Sequence, residues 1–146
     1  LGAKPAGLGA RNTLRLEAAM ALYGHEIDAT ISPLEAGLSW IVKFDKGDFC
    51  GRAKLAEQKA AGITRKLCGF EMTERGIGRD GYEVSIDGAK AGWVTSGGPS
   101  PTTGKNIGLC YLPVAHATPG QAIQVMIRNQ AVAAVVVPTP FYKRAK

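Results

Sequence analysis

Arg11 carries the most directional chemistry in the N-terminal part of this chain. Its guanidinium is a planar fork of donors that matches a carboxylate at two points. By context alone it is an arginine in the first turn of a helix, paired with Glu17 or open to solvent. Arg15 and Glu17 lie two apart and so do not share a helix face. Each is left to pair with another element, and both read as structural. His25-Glu26 and Asp28 form a polar cluster that could move a proton or hold a metal, although a hydrogen-bonded turn is the commoner form after a glycine. Thr95-Ser96-Gly97-Gly98-Pro99-Ser100-Pro101 is rich in hydroxyls and glycine. Pro99 and Pro101 block the helix entry that a phosphate loop needs, and the Gly-x-Ser-x-Gly spacing of a nucleophile elbow is absent. A shaped loop between strands is expected there. Cys50, Cys68 and Cys110 form no Cys-x-x-Cys pair, and only His25 and His116 could join them, so no structural metal site is expected. Cys68 and Cys110 sit in apolar, strand-like runs and read as small core residues. The end, Lys143-Arg144-Ala145-Lys146, reads as a basic solvated tail.

These residues must be positioned by elements of two kinds. Leu16, Met20 and Tyr23 fall at i, i+4 and i+7, which predicts a helix over 10–23 with Gly24 as its left-handed cap. Residues 38–42, Leu-Ser-Trp-Ile-Val, predict a short strand. A second helix is expected over 49–61, with Asp48 as N-cap and Gly62 as the stop. After Gly62 the pattern changes to short apolar runs separated by turn residues. Strands are expected at 66–72, 82–86, 90–95, 107–111, 122–127 and 131–137. Asp87-Gly88 signals a hairpin, and Arg128-Asn129-Gln130 looks like a second one. The expected fold is therefore an α+β N-terminal segment of two helices and a strand, residues 1–62, followed by an all-β, roughly six-stranded antiparallel barrel or jelly-roll-like domain, residues 63–146.

The 146 residues are 45% hydrophobic, enough for a real core. The net charge of +6 is uneven: residues 1–62 carry 8 basic and 7 acidic side chains, residues 63–146 carry 10 and 5. A basic second half suits anionic partners. The longest apolar run, residues 131–137, is far short of the ~20 residues of a membrane-spanning helix. Three unpaired thiols suit a reducing compartment, bacterial cytoplasm or mitochondrial matrix. The start, Leu1-Gly2-Ala3-Lys4-Pro5, has neither Met nor an apolar signal core and reads like the interior of a longer protein.

Longer motifs add a resemblance. Gly7-Leu8-Gly9-Ala10-Arg11-Asn12-Thr13-Leu14-Arg15-Leu16-Glu17-Ala18-Ala19, then Tyr23-Gly24-His25-Glu26-Ile27-Asp28 and Pro33-Leu34-Glu35-Ala36-Gly37-Leu38-Ser39-Trp40, resemble the second half of the glycine cleavage system T-protein family. Gly92-Trp93-Val94-Thr95-Ser96-Gly97-Gly98-Pro99-Ser100-Pro101 and Gly104-Lys105-Asn106-Ile107-Gly108-Leu109 extend it across nearly the whole chain. The resemblance implies a folate-dependent aminomethyltransferase that meets a lipoylated H-protein. Tetrahydrofolate is the implied co-substrate, and no metal is implied. The position of Ala10-Arg11-Asn12 is similar to the family's Ala-Arg-Asp, whose Arg contacts the folate. Asn12 departs from the Asp, which removes a charge near the helix start and puts a local ion pair in doubt. Residues at the extreme C-terminus return toward the folate tail in the family, which implies a second contact at Arg144. The acidic residue of the reaction lies in the preceding part of the family's sequence. The resemblance thus implies no catalytic acid or base here, and an inactive fragment when alone. Dimethylglycine and sarcosine dehydrogenases and dimethylsulfoniopropionate demethylase share this half. The Lys-Gly-Cys-Tyr motif of a paralogous group is absent. The alternative from another class is a non-catalytic basic barrel that docks an acidic protein or nucleic acid. Against RNA, Phe70, Tyr82, Trp93, Tyr111, Phe141 and Tyr142 are not interleaved with Arg and Lys as on a stacking platform.

Overall fold

The structure, a computed structural model, describes residues 1–144. Two helices, α1 (Leu8–Glu17) and α2 (Arg52–Ala61), precede six strands: β1 (Arg65–Met72), β2 (Glu83–Ile86), β3 (Ala89–Pro99), β4 (Asn106–Pro113), β5 (Ala122–Ile127) and β6 (Gln130–Val137). The strands close into a barrel in the order β1-β4-β3-β2-β5-β6, every neighbour antiparallel. Closure by β6 on β1 leaves no free edge, which is how a six-stranded sheet of this length avoids pairing with other chains. Alternation along the strands fills the interior: Cys68, Phe70 and Met72 from β1, Val84 and Ile86 from β2, Cys110 and Leu112 from β4, Ile123 and Val125 from β5, Ala134 and Val136 from β6. None of the described helices is long and apolar enough to cross a membrane.

Both hairpin turns take the left-handed backbone that a two-residue connection between twisted strands requires. Asp87 and Gly88 have φ of 51° and 79°, and Arg128 and Asn129 have 49° and 65°. Gln130, expected in the second turn, instead begins β6 opposite Ile127. The segment expected as a loop at Thr95–Pro101 is strand as far as Pro99. A register shift between Val94 and Ser96 bends β3 there.

The N-terminal segment departs from expectation in three places. Helix α1 stops at Glu17, not at Tyr23. Ala19 turns left-handed with φ 53°, and the Met20 and Ala19 amides bond back to the Arg15 and Leu16 carbonyls, a Schellman closure without glycine. Leu16 alone of the expected stripe is buried; Met20 and Tyr23 are exposed. Residues 38–42 form no strand. No neighbour offers a ladder, and Ser39–Ile41 coil into a 3-10 turn. Helix α2 is preceded by Gly51 at φ 87°, so Asp48 caps nothing, while Gly62 stops the helix as expected at φ 84°.

Helix α1 lies against β3 and β4, with Leu16 seated on Ile107 and Leu109 of the barrel's outer face. The chain end crosses the same face. Phe141 joins that cluster, and the Tyr142 amide donates to the Glu17 carbonyl at 3.1 Å. Gly69 permits the crossing, because a Cβ there would stand 2.5 Å from Thr139 Cγ2 and 2.9 Å from the Phe141 ring.

Candidate functional site

Helix α1 presents its polar residues in three directions. Arg11, in the first turn, is exposed, and among the described residues no hydrogen bond or ion pair engages it. Arg15, one turn later, is fully occupied. Its Nη1 donates to Glu26 Oε2 at 2.8 Å, its Nη2 to Ser96 Oγ at 2.8 Å, and its Nε and Nη2 to Asn12 Oδ1 at 2.9 and 2.8 Å. Asn12 thus keeps a side-chain partner without the charge of an Asp. Glu17, on another face, points at the β3–β4 connection. It accepts from Ser100 Oγ at 2.5 Å, the Thr102 amide at 2.9 Å and Thr102 Oγ1 at 2.7 Å. Arg15 and Glu17 therefore clamp one helix to two stretches of the barrel, as their separate faces imply.

Glu26 is wholly buried and anchors the turn after α1. Oε2 also accepts from the Leu22 amide at 2.9 Å, and the Glu26 carbonyl accepts from Tyr111 Oη at 2.9 Å. Oε1 has no hydrogen-bond partner among the described residues. His25 reaches the barrel too: Nδ1 lies 3.0 Å from Asp80 Oδ2 and 3.3 Å from the Thr95 carbonyl. Asp28 faces its own loop, where Oδ1 takes the Thr30 amide and hydroxyl at 2.6 and 2.7 Å. Those bonds hold its carboxyl below the ordinary carboxylate range. The polar cluster is thus a set of ties to the barrel and one local turn. Among the described residues, no group of three His, Cys, Asp or Glu side chains could hold a metal ion.

Several pairings escaped the sequence reading. Glu35 pairs with Arg65 at 2.7 Å, and Arg65 lies over Trp93 and Tyr111, which stack at 5.1 Å. Burial pushes the Glu35 carboxyl up, but the Arg65 guanidinium and the Ser32 amide outweigh it and leave it below the ordinary value. Ser32-x-x-Glu35 has the capping-box spacing, and the reciprocal bonds form around the turn at 33–37 rather than at the start of a helix. That signal was present in the sequence. Ser96 and Thr102 had no such signal, because their partners lie more than eighty residues away.

Arg144 is exposed. It follows Tyr142, which is tied to the last residue of α1, while Arg11 sits about 9 Å further along the helix axis. Of the basic tail, Ala145 and Lys146 lie outside the described residues. Beside the end of α1, an open groove of about 580 Å³ is lined by Met20, Ile27, Leu38, Trp40 and Leu67.

Residues 65–143 match the family model of the glycine cleavage T-protein C-terminal barrel domain, and residues 1–46 match that of the GCVT N-terminal domain. An aminomethyltransferase of Desulforamulus reducens is 52% identical over 98% of this chain and 39% of its own length. One of Listeria welshimeri is 56% identical over 99% of this chain and 40% of its own length. The crystal structure of the glycine cleavage system aminomethyltransferase T from Bartonella henselae is similar at a TM-score of 0.89 and 32% identity, over 94% of this chain and 39% of that one. The chain spans about two fifths of the length of these relatives. With residues 65–143, the span of all six strands, matched by the barrel-domain family model, the chain belongs to the glycine cleavage T-protein family.

Proposed function

We propose that this chain works as the C-terminal part of a tetrahydrofolate-dependent aminomethyltransferase. In this reading an aminomethyl group arrives on the lipoyl arm of an H-protein, its methylene passes to tetrahydrofolate, and ammonia leaves. The observation that carries it is the match of almost the whole chain to relatives named aminomethyltransferase. The geometry of α1 supports it. Arg15 and Glu17 are spent on holding the helix, whereas Arg11 stands open on a helix tied down at both of those residues. A helix already tied to the barrel spares a docking carboxylate the ordering of the backbone beneath Arg11, and the free guanidinium fork suits the glutamyl tail of a folate. Arg144 is a second cation for the same tail, brought toward α1 by the Tyr142–Glu17 bond. The acid of the reaction lies outside these residues, so the chain alone is inactive. A reducing compartment belongs to the same reading.

The test is a chimera in which this chain replaces the matching segment of the Desulforamulus reducens relative. Ammonia release that depends on both tetrahydrofolate and H-protein is expected. A chimera that folds but releases none would overturn the reading. In the active chimera, Arg11→Ala is expected to weaken tetrahydrofolate binding by about 1.5–3 kcal/mol, the scale of a charged hydrogen-bonded contact. Unchanged folate affinity would remove Arg11 from the site.

A further inference from the structure

Two of the three cysteines face each other inside the barrel. The register of β1 on β4 sets Cys68 directly opposite Cys110, and strand alternation turns both into the core. Their sulfurs are 3.6 Å apart. Directly opposed residues on antiparallel strands have Cα atoms about 4.5–5.5 Å apart, inside the roughly 4.4–6.8 Å that a disulfide spans. Rotation about the two Cα–Cβ bonds therefore suffices to bring the sulfurs to bonding distance without moving the strands. Two buried apolar residues would serve the core equally well, so packing alone does not explain two thiols in one register pair.

We propose that Cys68 and Cys110 are an oxidative modification site, closing reversibly to a disulfide across the β1–β4 seam when a small peroxide reaches them. The two thiols are not equivalent. Cys68 retains 8% exposure and Cys110 none, so an oxidant meets Cys68 first. That difference in access makes Cys68 the attacking and Cys110 the resolving cysteine. In the first step the Cys68 thiol takes one oxygen from hydrogen peroxide, giving a sulfenic acid and one water. In the second, the Cys110 sulfur attacks the Cys68 sulfur, the S–O bond breaks, and hydroxide leaves with the Cys110 proton as a second water. Two thiols are oxidised and one peroxide is reduced; a thiol reductant reverses the bond. The segment tied off contains β2 and β3, and the stapled seam carries Leu67, Ile107 and Leu109, the platform for Leu16. In a reducing compartment such a bond is transient, a redox response rather than a permanent staple.

The experiment removes the exposed Cys50 by Cys50→Ser and treats the folded chain with hydrogen peroxide. The sample is then quenched, denatured and alkylated with iodoacetamide for intact-mass measurement. The expected product has lost two hydrogens, takes no alkyl group, and releases one linked peptide containing Cys68 and Cys110 that dithiothreitol separates. Its thermal midpoint is higher than that of the reduced chain. Two alkyl groups, or a Cys68 that gains oxygen without linking, would overturn the proposal. In Cys50→Ser/Cys110→Ala the Cys68 sulfenic acid has no resolving partner and is expected to be trapped by dimedone. Failure to trap it in a folded variant would equally sink the order of attack. Should that variant not fold, Cys110→Ser replaces it.

Discussion

A single carboxylate shows how a residue in this chain is placed against its intrinsic preference. Glu17 ends α1, where the helix dipole disfavours negative charge, and it is buried. Burial raises its pKa, but the Ser100 hydroxyl, the Thr102 amide and the Thr102 hydroxyl outweigh burial and hold it below the ordinary 4.5. The sign follows from linkage. A carboxylate with a depressed folded-state pKa stabilises the fold above its unfolded pKa, and that stabilisation is lost as pH falls through the folded value. Glu17→Gln is expected to cost about 1–3 kcal/mol at neutral pH, because three hydrogen bonds to a charged acceptor become neutral ones. It is also expected to flatten the loss of stability on acidification. Urea midpoints at about pH 7 and about pH 4 check both; an unchanged acid slope would assign the dependence to Glu35 and Asp28 instead. At this scale the residues Arg15 and Glu17 were legible as structural from their separate helix faces. Their partners were not, because Ser96, Ser100 and Thr102 lie about eighty residues further along the chain.

At the scale of elements, local turn chemistry was readable where it acts alone. Asp87-Gly88 and Arg128-Asn129 mark hairpins because two successive left-handed residues match the strand twist. The helix stop was unreadable, since Ala19 adopts the left-handed cap with no glycine to announce it. Arg15 and Glu17, in the last turn before that end, are both tied to the barrel. Close strand packing makes a sharp prediction. A Cβ on Gly97 would stand 2.0 Å from the Gly78 carbonyl oxygen, and backbone cannot step aside as a flexible side chain can. Gly97→Ala is expected to destabilise the barrel by more than about 3 kcal/mol, in the range of severe overpacking and backbone displacement. Thermal unfolding would show it, and a midpoint within a degree or two of the parent would mean that β3 and the 73–82 loop separate freely.

The whole molecule divides unevenly between a closed barrel and a segment with much apolar surface in water. Leu14, Met20, Tyr23, Trp40 and Ile41 are 50–73% exposed, all within the stretch matched by the GCVT N-terminal domain. Met20 and Trp40 line one groove. Contiguous apolar surface of this kind drives association. The isolated chain is expected to self-associate with rising concentration, and Met20→Glu with Trp40→Gln to shift it toward monomer. Burial of side chains this size is worth about 1.5–3 kcal/mol each. Sedimentation velocity over a concentration series decides; a parent chain that stays monomeric throughout would refute the expectation.

The two helices, the six strands after them, the barrel class and both hairpins followed from sequence, because helical and period-2 patterns and left-handed turn residues are local properties that each segment carries with it. Asp48, the 38–42 run and the Met20–Tyr23 end of the stripe misled for the opposite reason: a cap, a strand or a helix end exists only if a neighbour completes it. Three-dimensional packing alone placed Arg15 between Glu26 and Ser96, stacked Arg65 over Trp93 and Tyr111, and set Cys68 against Cys110. Those pairings depend on which strands lie side by side in a closed barrel, and closure is a condition on all six strands at once that no single window of sequence contains.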